Sequence, residues 1–294
     1  LNRQKILNWL RAARPQTLAA ALVPVMTGSA LAFSDGLFRW DTSLVALFCA
    51  FGIQIGTNFA NDYFDFIKGA DTPDRIGFER ATSAGLIQPK QMLRAVILVM
   101  LVSFVAGLYL VWIGGWIILV VGLLSLLFGI LYTGGPYPLG YNGLGDIFVF
   151  IFFGLVAVTA TYYVNALQWS SDSLIASIPI GALCVNILVV NNLRDVEQDK
   201  ISGKRTLGVL LGENWLKSEY ILMAGFAYLA PLVMYYFYGY TATIFLPVLS
   251  LPFAALLIRQ VLFNEDKRLL NKTLERTSQL MILYGVLFAA GILL

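Results

Sequence analysis

Nine predominantly apolar runs punctuate the chain, at 17–34, 43–62, 91–113, 115–132, 146–167, 172–193, 217–238, 241–262 and 277–294. Each is close to the roughly 20 residues that a helix needs to cross the hydrocarbon of a bilayer. The runs are continuous rather than alternating, which predicts helices and argues against a β-barrel. Polar or Gly- and Pro-containing connections separate them. The pattern predicts an all-α, multi-pass membrane protein: one transmembrane domain over 1–294, built from nine transmembrane helices. Pro24 in the first run, and Pro247 and Pro252 in the eighth, predict kinks.

Charge gives this string of helices an orientation. Of the 20 Lys and Arg residues, 19 fall before the first run or in the connections that follow the second, sixth and eighth, helix ends included, and only Arg39 falls on the other side. The positive-inside rule then puts the N-terminus in the cytoplasm and the C-terminus outside. Composition agrees: 59% of residues are hydrophobic and 13% charged, against roughly half and about a quarter in soluble domains. That balance excludes a disordered chain, a coiled coil and a nucleic-acid-binding domain. Cys49 and Cys184 both lie in apolar runs, so no disulfide framework is expected. The absence of histidine excludes a Ser-His-Asp triad and a His-Glu-x-x-His zinc site. The chain starts at Leu1 rather than Met, which points to a trimmed N-terminus, and it shows no cleavable signal peptide.

Two of the cytoplasmic connections, about 63–90 and about 194–216, are long, and both open on the same spacing. Asn61 and Asp65 are four apart, as are Asn191 and Asp195, and Asp199 follows four further on. Residues i and i+4 share one face of a helix, so each motif aims its oxygens in one direction from a helix end outside the packed core. The two motifs sit four spans apart on helices of the same direction, a weak internal repeat. Carboxylates at a membrane are costly and tend to mark function. The available ligands are all oxygens, which suits Mg²⁺, Mn²⁺ or Ca²⁺ and disfavours Zn²⁺ or Cu²⁺. With Lys68, Arg75, Lys204 and Arg205 beside them, the two clusters have the makings of a metal-bridged cage for a diphosphate. If an allylic group departs from that diphosphate it leaves a carbocation, which aromatic side chains can stabilise.

Longer segments carry a resemblance. Trp9-x-x-Ala12-x-Arg14-Pro15-x-Thr17-Leu18 opens the chain, residues 61–71 read NDYFDFIKGAD, 132–146 read YTGGPYPLGYNGLGD, and 191–212 read NNLRDVEQDKISGKRTLGVLLG. Together they resemble the UbiA superfamily of intramembrane aromatic prenyltransferases, most closely its branch acting on 1,4-dihydroxy-2-naphthoate in menaquinone biosynthesis. The likeness covers nearly the whole chain. It implies nine helices around a central cavity that opens toward the membrane. It implies Mg²⁺-dependent transfer of a polyprenyl group from polyprenyl diphosphate to 1,4-dihydroxy-2-naphthoate, with loss of CO₂. By this resemblance Asp65, Asp71, Asp195 and Asp199 hold metal, and Asn61, Asn191, Lys68, Arg75 and Lys204 bind the diphosphate end of the donor. The lipid bilayer is the one environment expected; no nucleic acid or obligate protein partner is.

Without histidine, a base must be a carboxylate, a tyrosinate, a water or the leaving diphosphate; Asp62 and Tyr132 are both candidates. The segment 132–146 is either a rigid turn or a wall for the aromatic substrate, with Tyr132, Tyr137 and Tyr141 against a diol. Arg14 either meets a substrate carboxylate or extends to the membrane interface. Gly52-x-x-x-Gly56 reads as helix packing, and the Phe and Trp stripes as lipid-facing. Rival functions are a sister enzyme using 4-hydroxybenzoate, homogentisate or a phytyl donor, and a divalent-cation transporter, which would need ionisable groups near mid-membrane.

The charge segregation yields a topology test. Asp71→Cys should react with an impermeant thiol reagent only from the cytoplasmic face; reaction only from outside would invert the scheme.

Overall fold

The structure, a computed structural model, describes residues 3–70 and 76–294, and over these it is all-helical. Helix α1 spans Arg3–Ala13, a 3₁₀ turn follows at Pro15–Thr17, and α2 runs over Ala19–Ser34. Next come α3 (Trp40–Ile67), α4 (Pro89–Gly114) and α5 (Trp116–Leu131). The remaining long helices are α6 (Gly145–Ala166), α7 (Ser171–Ile201), α8 (Glu213–Tyr238), α9 (Ala242–Phe263) and α10 (Leu269–Leu293). Every predicted apolar run is thus helical. Among the described residues seven helices, α3, α4 and α6–α10, are long and apolar enough to cross a membrane. The pair Arg3–Thr17 and Ala19–Ser34, bent by 53°, makes an eighth if counted as one span, while α5 has 16 residues and is shorter than a usual span. The protein is a multi-pass membrane protein.

Two helices run further than predicted. The run expected to end at 62 continues to Ile67, and the one expected to end at 193 continues to Ile201. Hydropathy falls where the chain leaves the hydrocarbon, but the backbone ladder does not stop there. The four-residue spacing of the Asn and Asp residues is itself a helical period. Both motifs therefore stand on projecting helical turns rather than in loops.

The short helix α1, absent from the hydropathy pattern, packs through Trp9, whose ring meets Phe59 of α3 edge-on at 5.4 Å. Asn58 fixes the break that follows: its Nδ2 donates to the Ala13 carbonyl at 2.9 Å and to Thr17 Oγ1 at 3.0 Å. Gln54, one turn earlier, donates to the same hydroxyl at 3.1 Å. Arg14 sits in this break with a left-handed φ of 52°, a conformation that costs a non-glycine residue about 1–2 kcal/mol.

Helix α7 is buried along most of its length and packs against α2, α6, α8 and α10. A helix apolar on all sides belongs at the centre of a bundle. Its approach to α6 needs glycine on both: a Cβ on Gly154 would lie 2.6 Å from the Gly181 Cα. There α6 loosens into a π-helical stretch, Phe150–Val156. Gly52 and Gly56 bring α3 against Ser103 and Met100 of α4, the packing role expected for them. Trp40, Trp112, Trp116 and Trp169 are exposed at the helix ends remote from the aspartate motifs, where an aromatic belt belongs.

Helices α2–α6 enclose an apolar cavity of about 220 Å³, lined by residues including Val25, Cys49, Phe104, Ile118 and Phe152. Tyr132, the residue capping α5, lines its motif-side end.

Candidate active site

The last turns of α3 carry the first motif. Asp65 is 1% exposed, so it lies in a packed interior, contrary to the expectation of an open helix end. Its charge is met from three elements. Arg80 Nη2 donates to Oδ2 at 2.8 Å, Lys204 Nζ stands 3.4 Å from Oδ1, and the Tyr141 hydroxyl donates to the same oxygen. Lys204 also stands 3.9 Å from Asp199 Oδ1, and Asp199 Oδ2 accepts from Thr206 Oγ1 at 3.4 Å. One ammonium group thus bridges the first aspartate motif and the second, which lie far apart in sequence. That contact assembles the site.

Tyr141 presents its ring to two cations, Lys204 at 4.6 Å and Lys68 at 4.8 Å from the centroid. Lys68 Nζ donates to the Thr133 carbonyl at 2.7 Å, and the Thr133 hydroxyl donates to Asn61 Oδ1 at 2.8 Å. Burial holds the Lys68 ammonium below the usual lysine range; Asp65 opposes this and the neighbouring Lys204 adds to it. Among the described residues Lys68, Arg80 and Lys204 gather about Asp65 and Asp199. Such a gathering of cations suits an anionic ligand.

Asp195 has a different partner. Arg194 grips it in bidentate fashion, Nε to Oδ1 at 2.7 Å and Nη2 to Oδ2 at 2.6 Å. The same guanidinium donates to Asn191 Oδ1 at 2.8 Å and to Asn271 Oδ1 at 2.9 Å, and lies over the Phe78 ring. It thereby ties the second motif to α10 and to the segment before Arg80. Among the described residues no three acidic groups converge as a ready metal cage. Asp71 and Arg75 lie outside the described residues. The donors present, carboxylates and amide oxygens, are those a hard divalent cation takes.

The remaining expected residues divide. Asp62 has both oxygens occupied by backbone, accepting from the amides of Ala81 and Thr82 at 2.9 Å each. It anchors the segment that delivers Arg80. Tyr137 is 61% exposed and forms no wall. Arg14 belongs to the α1–α2 break described above. Tyr132 is clamped by the segment that follows it: Cβ atoms on Gly140 and Gly145 would lie 2.9 Å from its ring and its hydroxyl, respectively. The Arg205 amide donates to the Tyr141 carbonyl at 2.7 Å, joining this segment to the one after the second motif. Segment 132–146 is thus both a rigid turn and the frame that holds two tyrosines. Arg80 escapes a motif search because it meets Asp65 from a separate segment, and Arg194, though next to Asp195, shows its anchoring role only through its tertiary contact with Asn271.

Comparison with known proteins places this geometry. Residues 21–293 match the model of the UbiA prenyltransferase family. The chain is 36% identical to a 1,4-dihydroxy-2-naphthoate octaprenyltransferase of Escherichia coli, covering 97% of this chain and 95% of that one. It is 34% identical to the protein of the same name from Haemophilus influenzae, covering 99% and 97%. A UbiA homologue from Archaeoglobus fulgidus, solved bound to DMAPP and Mg²⁺, shares the fold with a TM-score of 0.63 at 14% identity, covering 96% of this chain and 99% of that one.

The arginine clamp makes a stability prediction. Arg194→Leu should cost about 3–5 kcal/mol, because it removes a bidentate partner from a buried Asp195 and unties Asn191 and Asn271. Arg194→Leu with Asp195→Leu should recover part of that loss. Thermal unfolding in detergent measures both; an Arg194→Leu protein as stable as wild type would contradict the clamp.

Proposed function

The chain belongs to the UbiA prenyltransferase family, and from that premise we propose how its site works. The protein is a 1,4-dihydroxy-2-naphthoate polyprenyltransferase. It transfers a polyprenyl group from polyprenyl diphosphate to the naphthoate ring with loss of CO₂, a step of menaquinone biosynthesis. Names of relatives at 34% and 36% identity over nearly the whole chain support the acceptor. The observation that carries the mechanism is Lys204 between Asp65 and Asp199, with Tyr132 of the cavity lining within electrostatic range of both carboxylates.

In this reading the diphosphate sits among Lys68, Arg80, Lys204 and Arg75, and the isoprenoid tail extends into the cavity between α2 and α6. Asp65, Asp71, Asp195 and Asp199 would hold Mg²⁺, which when bound neutralises charge on the diphosphate oxygens, and Asn61 and Asn191 bind the diphosphate beside them. The Archaeoglobus homologue's bound DMAPP and Mg²⁺ support that assignment. The cations of this chain stabilise the negative charge that develops on the leaving group. Tyr141 holds Asp65 in place and orients Lys68 and Lys204 through its ring. The apolar walls of the cavity keep water from capturing the allylic cation. Tyr132, at the junction of cavity and cationic cluster, lies against the acceptor ring. We read the whole chain as one domain of nine spans, α5 and the α1–α2 pair included, with the N-terminus and the site on the cytoplasmic side of a bacterial plasma membrane.

The test is purified protein with carboxyl-labelled dihydroxynaphthoate, polyprenyl diphosphates and Mg²⁺. Labelled CO₂ should appear in step with prenylated product. EDTA should stop both, and Asp65→Ala should lower turnover by more than tenfold, about 1.4 kcal/mol of barrier. A product that keeps its carboxylate, or equal turnover of 4-hydroxybenzoate, would overturn the acceptor.

A further inference from the structure

One face of α5 looks into the cavity. Ile118, Gly122, Ser125, Gly129 and Tyr132 all line it, at alternating spacings of four and three that keep them on one side of a helix. Val120, Leu123, Leu124 and Leu127 are exposed on the other side. Gly129 is small because packing demands it: a Cβ there would lie 2.6 Å from Thr57 Oγ1 of α3. Gly122, two turns nearer the α4–α5 connection, is under no such demand. Among the described residues a Cβ on it would meet nothing within 4 Å beyond its own helical backbone. Glycine inside a helix costs stability relative to alanine, so glycine at this place calls for a reason other than packing.

Gly107 of α4 stands at the same level. The register of the two helices is fixed at Gly129, whose Cβ would lie 3.6 Å from Met100 Cε of α4. Seven residues closer to the connecting Gly115, the pairing of 100 with 129 becomes a pairing of 107 with 122. Gly107 also lines the cavity, and the one neighbour its Cβ would meet within 4 Å among the described residues is Cys49 Sγ, at 3.8 Å, an ordinary contact. One turn farther from Tyr132, Val111 and Ile118 line the wall with branched side chains again. The cavity wall therefore lacks two side chains at a single level, one from each of two adjacent helices.

We propose that Gly107 and Gly122 set the length of isoprenoid tail the enzyme accepts, by keeping the cavity open where the tail runs past them; the inference rests on the polyprenyl donor assigned above. Gly122 is ten residues from Tyr132, about 15 Å along α5 at about 1.5 Å per residue. A five-carbon prenyl unit adds four chain bonds of about 1.5 Å, and so roughly 5 Å of extended tail. With the diphosphate among the cations beside Tyr132, a geranyl tail of two units ends short of the glycine level. An octaprenyl tail of eight units has to pass it. A large side chain at 107 or 122 obstructs the second donor and leaves room for the first.

The experiment supplies purified wild type, Gly107→Phe, Gly122→Phe and Val120→Phe with geranyl or octaprenyl diphosphate, dihydroxynaphthoate and Mg²⁺, and follows prenylated product by mass. The readout is the ratio of kcat/KM for octaprenyl over geranyl diphosphate, which a general loss of active protein leaves unchanged. Gly107→Phe and Gly122→Phe should each lower that ratio at least tenfold. Val120→Phe, which adds the same ring to the exposed side of α5, should keep it within twofold of wild type. Leu variants at 107 and 122, held to the same tenfold fall, replace any Phe variant that does not elute from size exclusion as wild type does. A smaller fall in either glycine variant, or an equal fall in Val120→Phe, overturns the proposal. Wild type that turns over only one of the two donors overturns this inference alone. Wild type that turns over neither overturns the prenyltransferase reading and the inference with it.

Discussion

A carboxylate buried beside a membrane must be paired or it destabilises the fold by several kcal/mol, and the site of this protein follows from that constraint. Asp65 and Asp199 come from helices well separated in sequence, yet both lean on Lys204. Arg80 reaches Asp65 because Asp62, one turn earlier, fixes the backbone that carries it. Tyr141 reaches the same carboxylate because segment 132–146 folds back from the end of α5. The second motif is fastened separately, through Arg194, to Asn271 of α10. Arg80, Tyr141, Lys204 and Asn271 thus bring partners to the two motifs from four separate stretches of the chain.

The same arrangement divides the interior into two solvents. On one side of Tyr132 lie cations and oxygens; on the other an apolar cavity walled by α2–α6. An amphiphile with an anionic head and a hydrocarbon tail matches that division along its length. The glycines that clamp Tyr132, at 140 and 145, keep the boundary residue in one pose, which is what positioning of an aromatic acceptor requires.

Much of this was legible in the sequence, for identifiable reasons. Bilayer thickness imposes a length on apolar runs, so the seven helices long and apolar enough to cross a membrane all appear in hydropathy. The helical period puts Asn61 with Asp65, and Asn191 with Asp195 and Asp199, before any coordinates exist. What could not be read depends on tertiary contact. Hydropathy could not show that α3 and α7 continue to Ile67 and Ile201, because polar helix and polar loop look alike to it. Nor could it show α1, whose packing rests on Trp9 and Asn8. Spacing could not tell Asp62 from Asp65: adjacent helical turns carry both, and only the backbone amides of Ala81 and Thr82 separate their uses. The pairing of Arg194 with the residue next to it is local in sequence, but its anchoring to Asn271 is not.

The central claim is that the two aspartate motifs form one site. Binding of a non-hydrolysable polyprenyl thiolodiphosphate in the presence of Mg²⁺, measured for Asp65→Ala, Asp199→Ala and the double variant, tests it most directly. Residues that share a partner are expected to be non-additive. The double variant should bind about as weakly as the weaker single variant. Losses that simply add, or normal binding in either single variant, would mean two independent sites and contradict the account.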